Sequence, residues 1–385
     1  MLLDLVRSEP SWNRKRLIEE LGWSRSTLGK RIDELLEAGL IVIGGQQDST
    51  GGRPAETISL HASAGIILAL DIGASHSRLA VADLGGTILA EDEADVLIGS
   101  GPNEVFEWAL QCFDLLLKQL GQSRDAVRAL GIGVPDAVDP ATGILTNPVM
   151  MPNWRGTVLT EMLRDAFPEA VVAVERDVSI MALAEHRFGW PDVDNLALVK
   201  VSSGLGCGLI LGGGIYRGAH GNAGALGQLV RRGVDGRIGH LDEIASGWAL
   251  QRELIVRGQR VRTTADIVSL VRRGDLETEA SLRQLAGTVA ESLVDVVSLI
   301  NPQVLVVGGT LAAAGEPVLG PIRDLIRAQA PMLAGAVPEV VEARLGGRSG
   351  LIGAGQIALD ALFAPDRISA MTSAKAEATE TSVLS

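Results

Sequence analysis

Cysteine is nearly absent, with Cys112 and Cys207 the only two among 385 residues. They stand far apart and match no ligand spacing, which excludes a disulfide framework and a thiolate zinc site and points to a cytoplasmic setting. Cys112 falls in an apolar helical run with Phe106, Trp108, Ala109, Leu110, Phe113, Leu116 and Leu117, where its expected role is core packing. Histidine is scarce as well. His76, His220 and His240 are widely separated and read as surface or packing residues, not as a metal or acid–base set. No apolar run reaches the about 20 residues that a spanning helix needs. The first residues carry Asp4 and Arg7 and no long apolar stretch, so no secretory signal is expected either. Positive charge is in deficit. A formal net charge of −13 argues against nonspecific affinity of the whole chain for nucleic acid, because phosphate binding needs local positive charge.

What is present is apolar mass. With 46% hydrophobic and 21% charged residues, the chain buries a sizeable interior, and its length suits two or three domains. The first sixty residues depart from the acidic remainder, with eight basic residues against nine acidic ones. Leu2, Leu3, Leu5 and Val6 mark a helix that stops near Glu9-Pro10. Leu17, Ile18 and Leu21 mark a second, ended by Gly22, a residue that accepts the left-handed conformation of a helix terminus. Ser24 suits the N-cap of a third helix, which carries Leu28, Ile32, Leu35 and Leu36 on one face and ends at Gly39. Strands at 40–43 and 57–60 flank a polar tip, Ser49-Thr50-Gly51-Gly52-Arg53-Pro54-Ala55.

Helix, turn, helix and hairpin wing in that order predict a winged helix-turn-helix over residues 1–62. A recognition helix sets side chains of its first turns on base edges while basic groups hold phosphates. Arg25, Ser26, Thr27, Lys30 and Arg31 are therefore the contact candidates. Arg53 is placed to enter a narrow minor groove. Taken singly, the basic residues read equally well as the solvated face of an amphipathic helix; the succession of elements points to DNA.

After a short linker at 61–65, strand-like runs at 66–71, 77–83 and 87–93 precede an amphipathic helix at 103–120 and a strand at 130–134. The order returns after Asn195, with strands at 196–201, 206–211 and 214–217 and a buried strand at 304–307. Two similar halves predict lobes at about 63–190 and 191–365 facing a cleft. Residues 366–385, rich in Ala, Ser, Thr and Glu, are expected to be a disordered tail.

The Gly-Gly-Arg-Pro-Ala wing, Asp71-Ile72-Gly73, Gly133-Val134-Pro135 with Asp139, Glu175-Arg176-Asp177 with Ala182 and Glu185, and the glycine-rich run from Ser203 to Gly227 resemble the ROK family (repressors, open reading frames, kinases) in order and spacing, over about residues 1–362. The resemblance implies an α/β fold: an N-terminal winged helix-turn-helix followed by a two-lobed actin-like ATPase domain, ribonuclease H-like and of the hexokinase type. In the family's kinases glycine turns cradle ATP phosphates through backbone N–H groups. The first such turn, Asp-Xaa-Gly-Gly-Thr-Lys, is here Asp71-Ile72-Gly73-Ala74-Ser75-His76. The second is better kept, as Ser202-Ser203-Gly204-Leu205-Gly206-Cys207-Gly208. The resemblance thus gives Asp71, Gly73, Ser203, Gly204, Gly206, Gly308 and Gly309 as nucleotide-site positions, in what reads more readily as a residual hairpin scaffold.

The family's catalytic Asn-Asp-Ala-Asn leaves Asp177 at the position of the general base, a vestigial one, because Arg176 replaces the preceding Asn. A cation beside a carboxylate lowers its pKa and weakens it as a base. Arg176 and Asp177 are expected to form a structural pair or to meet an anionic ligand. The sugar- and zinc-binding Gly-Glu-Xaa-Gly-His is here Gly224-Ala225-Leu226-Gly227-Gln228, and the zinc loop's three cysteines fall at Gly233, Asp235 and His240. No metal and no cofactor are expected. Asp242 stands where the family has a sugar-binding Glu, Asn153-Trp154 resembles the segment near the sugar pocket, and the family's sugar-contacting Asn aligns with Val149. The effector-site candidates are Asn153, Arg176, Asp177, Gln228 and Asp242.

The expected function is transcriptional regulation without enzymatic activity, namely repression of carbohydrate-related genes. The expected partners are a double-stranded DNA operator, a sugar or sugar phosphate effector, and further copies of the chain in a homodimer or homotetramer. The alternatives are an ATP-dependent sugar kinase of glucokinase type with an accessory DNA-binding end, and a ligand-independent regulator controlled by a protein partner.

Overall fold

Gly22 and Ser24 set the first corner of the chain. α1 (Leu2–Ser8) and α2 (Arg14–Leu21) are followed by Gly22 at φ 65°, whose N–H closes on Ile18 O; Ser24 Oγ then accepts from Thr27 N to cap α3 (Arg25–Glu37). Leu17, Leu28, Ile32 and Leu35 face inward. The wing pairs β1 (Ile41–Gln46) with β2 (Glu56–Leu60) in antiparallel fashion. Trp12 and Ile58 exchange both backbone hydrogen bonds, at 2.8 and 2.6 Å, and so add a short third rung to it. The computed structural model describes residues 1–9, 11–46, 56–74, 76–96, 98–139, 141–145, 148–233, 236–329 and 337–372. The wing tip, with Arg53, lies outside the described residues.

The first lobe is a five-stranded sheet. β3 (Ile66–Ile72), β4 (Ser77–Asp83) and β5 (Ile88–Ala94) form an antiparallel meander, α4 (Pro102–Gln119) covers it, and β6 (Val127–Val134) returns parallel to β3. A small hairpin of β7 (Val138–Asp139) and β8 (Ile144–Leu145) precedes β9 (Val171–Arg176), which lies parallel to β6. From β9 the chain turns into α5 (Asp177–Ala184), which continues as a π-turn over Glu185–Gly189.

The second lobe repeats the plan with β10 (Leu196–Val201), β11 (Leu205–Leu211) and β12 (Gly214–Ile215). Next come a hairpin of β13 (Val230–Arg232) and β14 (Ile238–His240) and the helices α6 (Leu241–Ala245), α7 (Gly247–Val256), α8 (Thr264–Arg272) and α9 (Leu276–Ile300). β15 (Val304–Gly308), α10 (Glu316–Ala328) and β16 (Glu339–Glu342) complete the lobe, and the chain then enters α11 (Ser349–Leu362). The strand orders β5-β4-β3-β6-β9 and β12-β11-β10-β15-β16 match position for position, with the same senses of pairing. The internal repeat is therefore structural. Each terminal helix crosses over: α5 leaves the first sheet and packs on β11, while α11 leaves the second and packs on β3, β6 and α5.

Each lobe has its own apolar interior, Cys112 among the residues of the first and Cys207 among those of the second. A third core was not foreshadowed by the sequence pattern. Leu3 and Val6 of α1, Leu28 of α3 and Ile58 of the wing share it with Ile67 and Ala129 of the first lobe and with Leu359, Leu362 and Phe363 at the end of α11, which packs on that lobe. The residues at 61–65 thus join two bodies already packed together. The expected disorder from residue 366 is corrected for 366–372: residues 365–372 are helical, and Ile368 and Met371 pack into this same core. Their i, i+3 spacing makes an apolar stripe that the average composition of the segment conceals. Residues 373–385 lie outside the described residues. Among the described residues no helix is long and apolar enough to cross a membrane.

Candidate functional site

On α3 the side away from Leu28 and Ile32 exposes Arg25, Ser26, Thr27, Lys30 and Arg31. They are not equivalent. The hydroxyls of Ser26 and Thr27 lie 2.9 and 2.8 Å from Ser24 Oγ and complete the cap. Arg31 Nη1 is held 2.6 Å from Glu34 Oε2. The side chains of Arg25 and Lys30 have no partner among the described residues, so their charge is wholly available to a phosphate or a base edge.

The cleft is closed by three consecutive residues at the β9–α5 junction. Glu175 Oε2 accepts from Arg217 Nε at 2.5 Å, Arg176 Nη1 donates to Ala223 O at 2.5 Å, and Asp177 Oδ2 meets Lys200 Nζ at 2.5 Å. All three first-lobe side chains are buried, and all three partners belong to the second lobe. The expected Arg176–Asp177 pair is thereby corrected. Successive side chains leave the end of a strand in opposite directions, so Arg176 turns to Ala223, and the cation beside Asp177 is Lys200 of β10. Lys200 comes after four buried strand residues and carries no motif, so only the fold reveals it. Asp177 Oδ1 also accepts from Val178 N at 2.6 Å. Both oxygens of the Asp177 carboxylate are thus engaged within the protein, one by Lys200 Nζ and the other by the Val178 N–H.

Between the lobes lies a cavity of about 670 Å³ whose lining includes Asp71, Arg176, Asp177, Lys200, Gln228 and Asp242, within the size range of small-molecule sites. Gly73, Ser203, Gly204, Gly206, Gly308 and Gly309 line it as well. Burial at the cleft floor pushes the Asp71 carboxyl up to about 6, with Lys200 opposing and Asp177 adding to the shift. For Lys200, burial pulls the ammonium down but the Asp177 and Asp71 carboxylates more than offset it, so it is raised overall. Burial also lowers His76, on the same wall, with Arg78 adding to the effect.

Two further carboxyls face the cavity. Asp242 accepts from Leu205 N at 2.7 Å, and Asp136 accepts from the backbone of Val149, Met150 and Met151 at 3.2, 2.8 and 2.8 Å. Burial raises both, against the hydrogen bonds that lower them. Asp136 is a site residue that no motif singled out; its signal is a carboxylate directly after Gly133-Val134-Pro135.

Asn153 does not line the cavity, which corrects its assignment to the effector site. Its Nδ2 donates to Gly99 O at 3.0 Å. The neighbouring Trp154 is fully buried, donates to Ile98 O at 2.8 Å and sits 5.9 Å from the Phe106 ring. Anchoring Trp154 in the first-lobe core turns Asn153 outward. Gly206 lines the cleft but also presses on α5, since a Cβ there would come within 2.6 Å of Val178 Cγ1. Gly309, at φ 91°, turns the chain beside Val201 O, where no other residue fits without strain. At the family's zinc-loop positions Gly233 offers no donor, Asp235 lies outside the described residues, and the His240 ring is hydrogen-bonded through Nδ1 to Gln228 O at 3.0 Å. That donor set does not fit a tetrahedral zinc site. Among the described residues no three His, Cys, Asp or Glu side chains are grouped to hold a metal.

The sequence profile of the ROK family matches residues 67–361. The xylose repressor of Bacillus subtilis is 24% identical over 94% of each chain. A DNA-binding transcriptional dual regulator of Escherichia coli, NagC, is 28% identical, covering 83% of this chain and 81% of its own. Among solved structures, a ROK family transcriptional regulator homologous to the E. coli MLC protein superposes with a TM-score of 0.78 at 24% identity, over 96% of this chain and 97% of that one. A ROK family glucokinase from Streptomyces griseus, in complex with glucose and AMPPNP, superposes with a TM-score of 0.64 at 28% identity over 76% of this chain and 99% of its own.

Proposed function

Because this chain belongs to the ROK family, we propose that it is a DNA-binding transcriptional regulator of carbohydrate-related genes, a repressor whose grip on its operator is set by a sugar held between the lobes. The observation that carries the reading is the pairing of an exposed α3 with a cleft whose would-be base, Asp177, is tied to Lys200. The protein has no need of a metal or of phosphoryl transfer. It works as a two-fold assembly that presents two copies of α3 to an inverted repeat, with half-sites about 10 base pairs apart or a multiple of that. A sugar alters affinity by binding the open and closed lobes unequally.

The test is selection of chromosomal fragments on the purified full chain, without sugar and with xylose, glucose or N-acetylglucosamine. One or a few enriched fragments carrying an inverted repeat are expected, with affinity changed by about 5- to 150-fold by one of the sugars. Recovery of no preferred fragment would remove the reading. The likeness to a glucokinase favours the second reading, a sugar kinase. Turnover of ATP with a hexose that disappears in Asp177→Asn would establish it; no turnover is expected.

A further inference from the structure

A continuous set of contacts joins the cleft to the DNA-reading head. α5 begins at Asp177, in the pair with Lys200, and all eight of its residues are buried. It is gripped on two flanks by glycines. A Cβ on Gly206 or Gly208 of β11 would overlap Val178, and one on Gly353 of α11 would overlap Ile180. A helix so tightly enclosed moves as a unit, because close-packed contacts do not deform locally.

α5 runs into the π-turn Glu185–Gly189, whose two charged side chains Glu185 and Arg187 are anchored in different places. Glu185 accepts from Arg344 N, Leu345 N and Ser349 Oγ at 2.9, 2.9 and 2.7 Å. Arg187 spans Asp360 of α11 with two bonds, of 3.0 and 2.7 Å, and reaches Gln356 Oε1 at 3.0 Å. Asp360 in turn faces Arg7 of α1 at 3.9 Å, and the Arg7 guanidinium lies 4.6 Å over the Phe363 ring.

We propose that Asp360 is a positioning residue for the reading head, shared between Arg187 at the end of α5 and Arg7 on α1, so that release of the Asp177–Lys200 pair is felt at α1. The π-turn supplies the two states. Relaxing it to an α-helical turn removes one residue's worth of widening and rotates the residues beyond it by about 100°, which takes Arg187 off Asp360 and changes the charge that holds Arg7. This coupling deepens the proposed function, which makes the head a reader of DNA, but its test needs neither operator nor effector.

Hydrogen exchange of the full chain, read by mass spectrometry, provides that test. In Lys200→Met, exchange of α5 and of α1 is expected to rise together, each by about ten-fold. Asp360→Asn should raise exchange in α1 while leaving α5 unchanged. The double variant should show no further rise in α1 beyond that of Asp360→Asn, and Asp360→Glu, which keeps the carboxylate, should restore most of the protection. Loosening of α5 with α1 unchanged, additive effects in the double variant, or no effect of Lys200→Met on α5 would each overturn the proposal. If Lys200→Met does not fold, Asp177→Asn breaks the same pair from the other side, with the same expectations. Failure of the regulator reading would appear instead as an absence of selected DNA with this exchange pattern intact, so the two outcomes are distinct.

Discussion

Asp71 and Asp177 both face the Lys200 ammonium and share it unequally: Asp177 is bonded to it, whereas Asp71 sits at the cleft floor and is pushed up to about 6. In the unfolded chain Asp71 ionises near 3.8. Between the two values the folded state keeps a proton that the unfolded state releases. Its contribution therefore favours folding in acid and declines as pH rises from about 4 to about 6, after which the buried charge is a constant burden of up to about 3 kcal/mol. Urea unfolding across that range should show Asp71→Asn gaining on the parent protein as pH rises and levelling off above about 6. An equal difference at every pH would mean that another group titrates. On α3, Lys30→Ala and Arg25→Ala should each weaken DNA binding and lower the salt slope by about one. Arg31→Ala should do less, because Glu34 already shares its charge; equal slopes for all three would show that Arg31 leaves Glu34 on binding. Asp177 and Asp242 were legible in the sequence because a family motif fixes their positions. Lys200, Asp136 and the outward turn of Asn153 were not, because strand pairing and the burial of Trp154 decide them.

At the scale of elements, α5 is closely packed on two flanks. Gly353→Ala and Gly208→Ala each force a methyl group into a neighbouring carbonyl and should destabilise the whole chain by about 1–3 kcal/mol. Ser24→Ala, which removes the cap of α3, should cost about 1 kcal/mol. Thermal unfolding of the three variants gives the comparison, and a glycine variant as stable as the parent would mean that the lobes part easily around α5. The strands β3, β4 and β10 could be read directly, since a half-buried or fully buried strand leaves a clear pattern between turn residues. α5 could not. It is buried on every side, so Val178 to Ala184 show no apolar period, and a short uniform run is equally compatible with a strand. The Trp12–Ile58 rung was hidden for a different reason: a single bridge has no sequence period at all.

For the molecule as a whole, the decisive feature is that the N-terminal helices and wing share one apolar core with the first lobe. Calorimetry should accordingly show them melting in one transition, not as a labile head on a stable body. Phe363→Ala, which empties a buried site beneath Arg7, should lower the stability of both by about 3–5 kcal/mol. A separate early transition in the parent protein would refute the common core. The two-lobed plan was legible because the halves repeat, while the docking of the head was not, because its apolar residues already satisfied the pattern of a small independent domain. Residues 365–372 are the extreme case, for they lie on α1's side of the molecule although hundreds of positions separate them in the chain. Anyone building chimeras would have to transplant that distal segment along with the first sixty-two residues. A graft taken from the front of the gene alone would arrive with its underside bare to water and nothing of its own to cover it.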